Sequence, residues 1–259
     1  MSVFDAARCA ALLTTERFGR SLVALTEADS TMDDARAAAD EGAPEGHVVL
    51  ADQQRRGRGS HGREWSSPPG SDLYFSLVLR PALSLADLPP LTLAVGLAVA
   101  DALAQVAPDA TVGIKWPNDV FVDGKKCAGV LVETRSIGLD PTAVIVGIGI
   151  NVNREEFDPS LIAESTSLAL VTGQPLDREA LLCGLLLQLE QRVMRFVAHG
   201  AGSVVHAVEE RLLYRGQRVS IDEHTGTLLG VDADGALRLR VDSGSVVRVL
   251  SGRLTPNPA

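Results

Sequence analysis

Hydrophobic and polar positions alternate with changing period along the 259 residues. Residues 5–13 have helical spacing, and residues 21–26 alternate as a strand does. Ser30 opens "STMDDARAAADEG", a helical pattern in which Ser30 and Asp33 have the spacing of a capping box, with Asp in place of the usual Glu, and Gly42 lies beyond the end. "HVVLADQQ" reads as a strand running into a glycine- and arginine-rich stretch, and "DLYFSLVLR" reads as the strand that follows it. The stretch therefore joins strand to strand. A dinucleotide fingerprint needs a helix after its glycines, and a phosphate loop needs a closing Gly-Lys-Ser/Thr; neither is present here.

Leu85–Val106 predicts a buried helix approached through Pro89 and Pro90. "VGIKWPNDVFV", the Asp123-Gly124 pair and "KKCAGVLVE" predict strands around a tight hairpin. "TAVIVGIGINVN" is a strongly apolar strand ending in polar residues, two or three helices fill 159–213, and 199–202 is a break. After Tyr214 short alternating strands with Asp-Gly and Ser-Gly turns predict a small β-barrel. The division expected is 1–213 and 214–259, in an α+β chain.

Composition narrows the class. Hydrophobic residues make up 46% and charged residues 22%, an ordinary globular mixture. A net charge of −9 argues against a general nucleic-acid binder but leaves room for a local basic patch of Arg55, Arg56, Arg58 and Arg63. No basic segment with an apolar run opens the chain, and no uncharged stretch predicts a membrane span. Cys9, Cys127 and Cys183 are odd in number and widely spaced, which predicts reduced thiols in a cytoplasm rather than a disulfide framework or a zinc site.

The candidate chemistry starts with "GRGSHGREW", residues 57–65. Glycines let a backbone approach a ligand closely, and arginines supply forked donors for phosphate or carboxylate, so the stretch reads as an anion-wrapping loop or as a mobile surface loop. "KWPND" sets Lys115 before a rigid Trp-Pro unit, "GIGIN" ends a glycine-opened strand on Asn151, and "ADQQ" puts Gln54 just before the arginine loop. Each has a plain alternative: Lys115 as a surface lysine, Gly147 and Gly149 as close sheet packing, Ser30 as a cap, Trp65, Trp116 and Cys127 as core.

Taken in order, Ser-Thr, Gln-x-x-Gly-Arg-Gly-x-x-Gly-Arg-x-Trp, Lys-Trp-Pro-Asn-Asp, Lys-x-Ala-Gly-x-Leu-Val-Glu and Gly-x-Gly-x-Asn resemble the biotin protein ligases over residues 30–153, and the C-terminal strands resemble that family's small cap domain. The resemblance implies a catalytic domain like that of class II aminoacyl-tRNA synthetases, a mixed or antiparallel sheet with packed helices, and a small SH3-like β-barrel after it. It implies formation of biotinyl-AMP from biotin and Mg2+-ATP, then transfer to a lysine of a biotin carboxyl carrier domain. By motif position Ser30, Thr31, Met32 and Gln54 fall on the biotin side. Gly57, Arg58, Gly59 and Ser60 form the loop over biotin, with Arg58 reaching the adenylate and Arg63 holding phosphate or ordering the loop. Lys115 bridges the biotin carboxyl and the α-phosphate, Gly147 and Gly149 admit the biotin ring, Trp65, Asn118 and Asn151 fall on the ATP side, and Asp119 orients the attacking lysine. The metal ligands are not assigned. Two positions depart from the family pattern: Met32 stands where Asn often follows Ser-Thr, and Ser60 where a second arginine is usual. No winged-helix segment precedes Ser30, so no DNA partner is expected; with no membrane span read, no membrane partner is expected either, and the chain is expected to work as a monomer or homodimer. A lipoate or octanoate attachment enzyme, a biotinyl-adenylate-sensing repressor and a non-catalytic nucleotide-binding module are the competing readings.

Overall fold

Both faces of the central sheet are apolar, and they are covered in different ways. The computed structural model describes residues 4–137, 140–161 and 164–257. Seven strands, β1 (Leu22–Leu25), β2 (Val48–Ala51), β3 (Leu73–Leu79), β4 (Val112–Lys115), β5 (Asp119–Val122), β6 (Lys125–Ile137) and β7 (Asp140–Ile150), lie in the order β1-β2-β3-β7-β6-β5-β4. Only the β1–β2 pairing among them is parallel. Alternate side chains of a strand point to opposite faces. Val48, Leu50, Phe75, Leu77, Val130, Val146 and Ile148 therefore share one core with α3 (Leu91–Val106) and, behind it, α5 (Arg178–His199). Val49, Val78 and Ile145 face the other way and pack with Met32, Ala35 and Ala39 of α2 (Thr31–Asp40).

The helix α3 is long and apolar enough, with the 3-10 turn at Leu85–Asp87 that precedes it, to cross a membrane, yet most of it is buried against the sheet. Its one acidic residue, Asp101, accepts from Arg192 of α5 and from Arg211 of α6 (Gly202–Arg211) at 2.8 Å each, which ties three helices at one buried carboxylate. α5 ends at Gly200, whose φ of 69° lets the chain turn, as the expected break requires. Three helices occupy the stretch after residue 159, the first being α4 (Leu168–Thr172). Near the N-terminus α1 (Ala6–Leu12) is capped by Asp5 and packs on α5, bringing Cys9 Sγ within 3.3 Å of Cys183 Sγ; both thiols are free.

The C-terminal β-rich domain has strands β8 (Arg218–Ile221), β9 (His224–Val231), β10 (Leu237–Val241), β11 (Val246–Val249) and β12 (Leu254–Pro256), in the order β11-β10-β9-β8-β12. All its pairings are antiparallel, and the last strand returns to the first. Its inward residues, among them Ile221, Leu228 and Leu239, belong to the same apolar cluster as the main core. Two polar joints hold it in place. Trp116 Nε1 donates to the Gly235 carbonyl at 2.9 Å, and Glu209 Oε1 accepts from Val231 N at 2.9 Å.

Trp116→Phe preserves most of the buried ring but leaves the Gly235 carbonyl without its donor. Urea unfolding should show a loss of about 1–3 kcal/mol, the range for an unsatisfied buried polar group; an unchanged midpoint and slope would show that the joint contributes nothing.

Candidate active site

One cross-strand row of the sheet builds the site. Tyr74 of β3 pairs with Gly149 of β7, Gly149 with Gly129 of β6, Gly129 with Asp119 of β5, and Asp119 with Lys115 of β4. Directly paired residues project to the same face. Two glycines side by side leave that face bare at its centre, and the lysine and aspartate stand at one end. In the next row Ser76 pairs with Gly147, which pairs with Leu131. This is the face that α2 covers only in part, and the uncovered portion is a cavity of about 230 Å³.

Loop residues close over the bare backbone. A Cβ at Gly149 would lie 2.5 Å from the Trp65 ring, and one at Gly129 2.9 Å from it. Such distances are sub-contact, so these glycines exist to receive the tryptophan. Met32 does the same at Gly147, where a Cβ would lie 2.7 Å from its sulfur. The Trp65 indole nitrogen is shielded from solvent and has no partner.

Ser30, only 2% exposed, opens α2, but its side chain makes no capping bond and its Oγ has no partner. The expected capping box is therefore not formed. Burying a hydroxyl unpaired is costly, and Ser30 lines the cavity, so it is set up to bond a ligand. Thr31 and Gln54 are more fully engaged. Gln54 Oε1 accepts from Thr31 N at 3.0 Å, Gln54 Nε2 donates to Ser67 Oγ at 2.9 Å, and the Thr31 hydroxyl lies 2.8 Å from Ser76 Oγ. These bonds clamp the start of α2 to the far stem of the arginine loop.

In that loop, Arg58 reaches Asp33 at 2.9 Å and Glu133 at 3.5 Å, with its Nε unpartnered. Arg63 folds back on the 3-10 turn at Ser60–Gly62, donating to the Ser60 hydroxyl at 3.1 Å and to the Ser60 carbonyl at 3.3 Å. Gly59 and Ser60 line the cavity; Gly57 does not, and a Cβ there would lie 2.4 Å from the Trp65 carbonyl oxygen. Gly57 thus shapes the loop.

The lysine end is cationic and partly dehydrated. Burial lowers the pKa of Lys115 from the ordinary lysine value, with Asp119 opposing the shift and Arg253 reinforcing it. Its ammonium sits 5.5 Å from the Phe121 ring centroid. Asp119 Oδ1 lies 2.7 Å from Lys126 Nζ, which also sits 5.1 Å from the Trp65 ring centroid. Asn118 and Asn151 line the cavity, yet the Asn118 amide donates to the Val130 carbonyl at 2.6 Å and the Asn151 amide to the Thr166 carbonyl at 2.9 Å. Both side chains brace the walls through their NH2 groups and keep their oxygens for other partners. Cys127 is fully buried, and burial pushes its thiol up, away from nucleophilic use.

Every site residue expected from the motifs except Gly57 meets at this cavity. Further residues join them, among them Lys126, Arg154, Phe157 and Arg253. Lys126 stands in the Lys-x-Ala-Gly motif and was legible there. Arg253 lies just before β12, far along the chain, and no local pattern marks it. Among the described residues no group of three or more His, Cys, Asp or Glu could hold a metal ion.

A bare-backbone trough ended by two lysines and roofed by an arginine loop suits an enzyme that holds a small ring-bearing carboxylic acid against an anionic co-substrate. The chain belongs to the biotin/lipoate A/B protein ligase family, whose pattern matches residues 28–151. It is 36% identical over 238 residues to the bifunctional ligase/repressor BirA of Bacillus subtilis, covering 90% of this chain and 73% of that protein. It is 33% identical to the biotin–[acetyl-CoA-carboxylase] ligase of Mycobacterium tuberculosis, covering 88% and 86%. Among solved structures, biotin protein ligase from Aquifex aeolicus in complex with biotin and ATP superposes with a TM-score of 0.79 at 33% identity, covering 93% of this chain and all of that one. The Leishmania major enzyme in complex with biotinyl-5-AMP gives 0.63 at 25% identity, covering 88% and 98%.

Gly149→Ala should lift Trp65 from its seat, because the ring has no room beside a methyl group. Tryptophan emission should then move to longer wavelength. In Gly96→Ala, where the added carbon meets nothing within 4 Å, it should not. Identical spectra for the two variants would show that Trp65 does not depend on the bare backbone.

Proposed function

We propose that this chain is an ATP-dependent biotin–[acetyl-CoA-carboxylase] ligase. The observation that carries the proposal is the cross-strand row from Gly149 to Lys115, which sets a side-chain-free stretch of sheet, roofed by Trp65, beside a partly dehydrated cation. The biotin ring enters against Gly147 and Gly149 as Met32 and Trp65, which rest on these glycines in this structure, give way, with the free Ser30 hydroxyl as a ready partner for its ureido group. Its carboxylate then points at Lys115. In the first step a carboxylate oxygen attacks the α-phosphorus of ATP and pyrophosphate departs. No base is needed, since the carboxylate is already ionised. The requirement is to bring two anions together and to stabilise charge at the phosphoryl group, which cations in a water-poor site do well.

Lys115 and Lys126 flank Asp119 and supply that charge, and Arg58 and Arg63 close the loop over the adenylate. Trp65, Asn118 and Asn151 serve the nucleotide side. Magnesium arrives with the ATP phosphates as part of the substrate. In the second step the amine of a carrier-domain lysine attacks the acyl carbon and AMP leaves; Asp119 orients that amine. The acceptor is the biotin carboxyl carrier domain of a carboxylase. The enzyme acts as a monomer or homodimer in the cytoplasm, off DNA and membranes; the net charge of −9 supports the exclusion of DNA.

Incubating the protein with Mg2+-ATP, a carrier domain and either biotin or lipoate, then weighing the carrier, tests the proposal. A mass gain with biotin and none with lipoate is expected, and the reverse result would sink it. Lys115→Ala should retain the melting temperature and lose about 10²–10³ in pyrophosphate exchange, the scale for removal of one preorganised donor. Near-normal exchange would remove Lys115 from the role.

Ser60 offers a short hydroxyl that already serves Arg63. An arginine there adds a forked cation to the loop. Ser60→Arg should slow release of preformed biotinyl-AMP by about ten- to a hundredfold, the equivalent of one charge-assisted contact. An unchanged or faster release would mean that Arg56 or His61 already fills the place.

A further inference from the structure

We propose that Arg154 is a positioning residue that couples the two segments walling the cavity, so that occupation of the biotin end is felt at the nucleotide end. The proposal rests on the ligase reading and assigns a role to a residue that no motif singled out. Arg154 follows shortly after β7, and its side chain is only 9% exposed. Its Nε donates to Asp72 Oδ2 at 2.8 Å, and the Asp72 side chain is wholly buried. The other Asp72 oxygen accepts from Val152 N at 2.8 Å, so the carboxylate is fixed to the sheet. Arg154 Nη2 donates to the Ser66 carbonyl at 2.9 Å and to the Tyr74 hydroxyl at 3.0 Å. On its flat side the guanidinium stands 5.3 Å from the Phe157 ring centroid.

These contacts make one planar group touch two segments that line the cavity. Ser66 adjoins Trp65, which covers Gly129 and Gly149. Phe157 belongs to the segment that follows Arg154, and the Trp65 and Phe157 rings both line the cavity. The guanidinium is planar, and its donors have a fixed fork geometry. Since Asp72 and Tyr74 hold it, a shift of the Ser66 stem changes the plane on which Phe157 rests, and the reverse. Lysine cannot substitute. A compact ammonium would still pair with Asp72, but it cannot also reach Ser66 and present a flat face to Phe157. Sites linked through a shared element have a coupling free energy, read as the factor by which one ligand changes the affinity for the other.

The test is titration calorimetry on the full chain with biotin and a non-hydrolysable ATP analogue, each alone and each with the other saturating. In the natural protein biotin should raise affinity for the analogue by several-fold or more. Arg154→Lys keeps a charge beside Asp72 and should lower that coupling factor by about tenfold, with each ligand's separate affinity changing less. Phe157→Leu leaves the Asp72 pair untouched and should lower it several-fold; it carries the test alone if Arg154→Lys fails to melt as a folded protein. A purely structural role would shift the melting temperature and leave the factor where it was. A coupling factor within about twofold of the natural protein's in the folded variants would overturn the proposal, as would a natural protein in which biotin and the analogue bind independently. Failure of the natural protein to bind biotin at all would instead overturn the ligase reading beneath it.

Discussion

Missing Cβ atoms at Gly129 and Gly149 are the constraint on which the rest of the site depends. The register of β6 against β7 puts the two glycines opposite each other, so their gaps merge into a single bare patch. A methyl group at either position would force Trp65 to shift, most at Gly149. The tryptophan in turn fixes where the arginine loop can lie, and the loop decides how the cavity is roofed. A sheet normally resists glycine in its interior, because backbone entropy is lost and no side chain is packed. Here the loss is offset by the aromatic ring that fills the space.

Charge is arranged around this patch by depth. The ion pairs Asp72–Arg154 and Asp52–Arg178 are buried, and Arg154 itself lines the cavity. Removing one member of such a pair would leave an uncompensated buried charge, so they hold the geometry firmly. Lys115, Lys126 and Arg58 stand nearer solvent, where their partners can be exchanged for ligand anions. Arg58 rests on Asp33 and Glu133, two partly exposed carboxylates that bind it weakly enough to release it.

The strand and helix order, the strand-to-strand placement of the arginine loop and the C-terminal meander were all legible in the sequence, because periodicity and turn residues are local signals. The meeting of Ser30, Gln54, Lys115, Gly147 and Gly149 was legible only through their order as motifs. Other features had no local signature. Ser30 has the spacing of a cap and makes no cap, because the competing demand of the cavity turned its hydroxyl elsewhere. Asn118 and Asn151 look like ligand amides and spend their donors on the walls. Arg154 is a single arginine in a polar run; only folding sets it against Asp72, 82 residues earlier.

By itself the sequence determined which side chains the motifs bring as candidates and which elements hold them, since side-chain type and spacing are properties of the chain. It also determined the departures at Met32 and Ser60, whose consequences are set by side-chain size and charge. Register, burial and contact across the sheet were decided by tertiary structure alone. Shifting β6 by one residue against β7 would part the two glycines and turn Asp119 to the other face, although no residue would have changed. That is why the trough, the lowered pKa of Lys115 and the shared guanidinium of Arg154 belong to the fold: each depends on groups far apart in sequence brought to within a few ångströms and shielded from water.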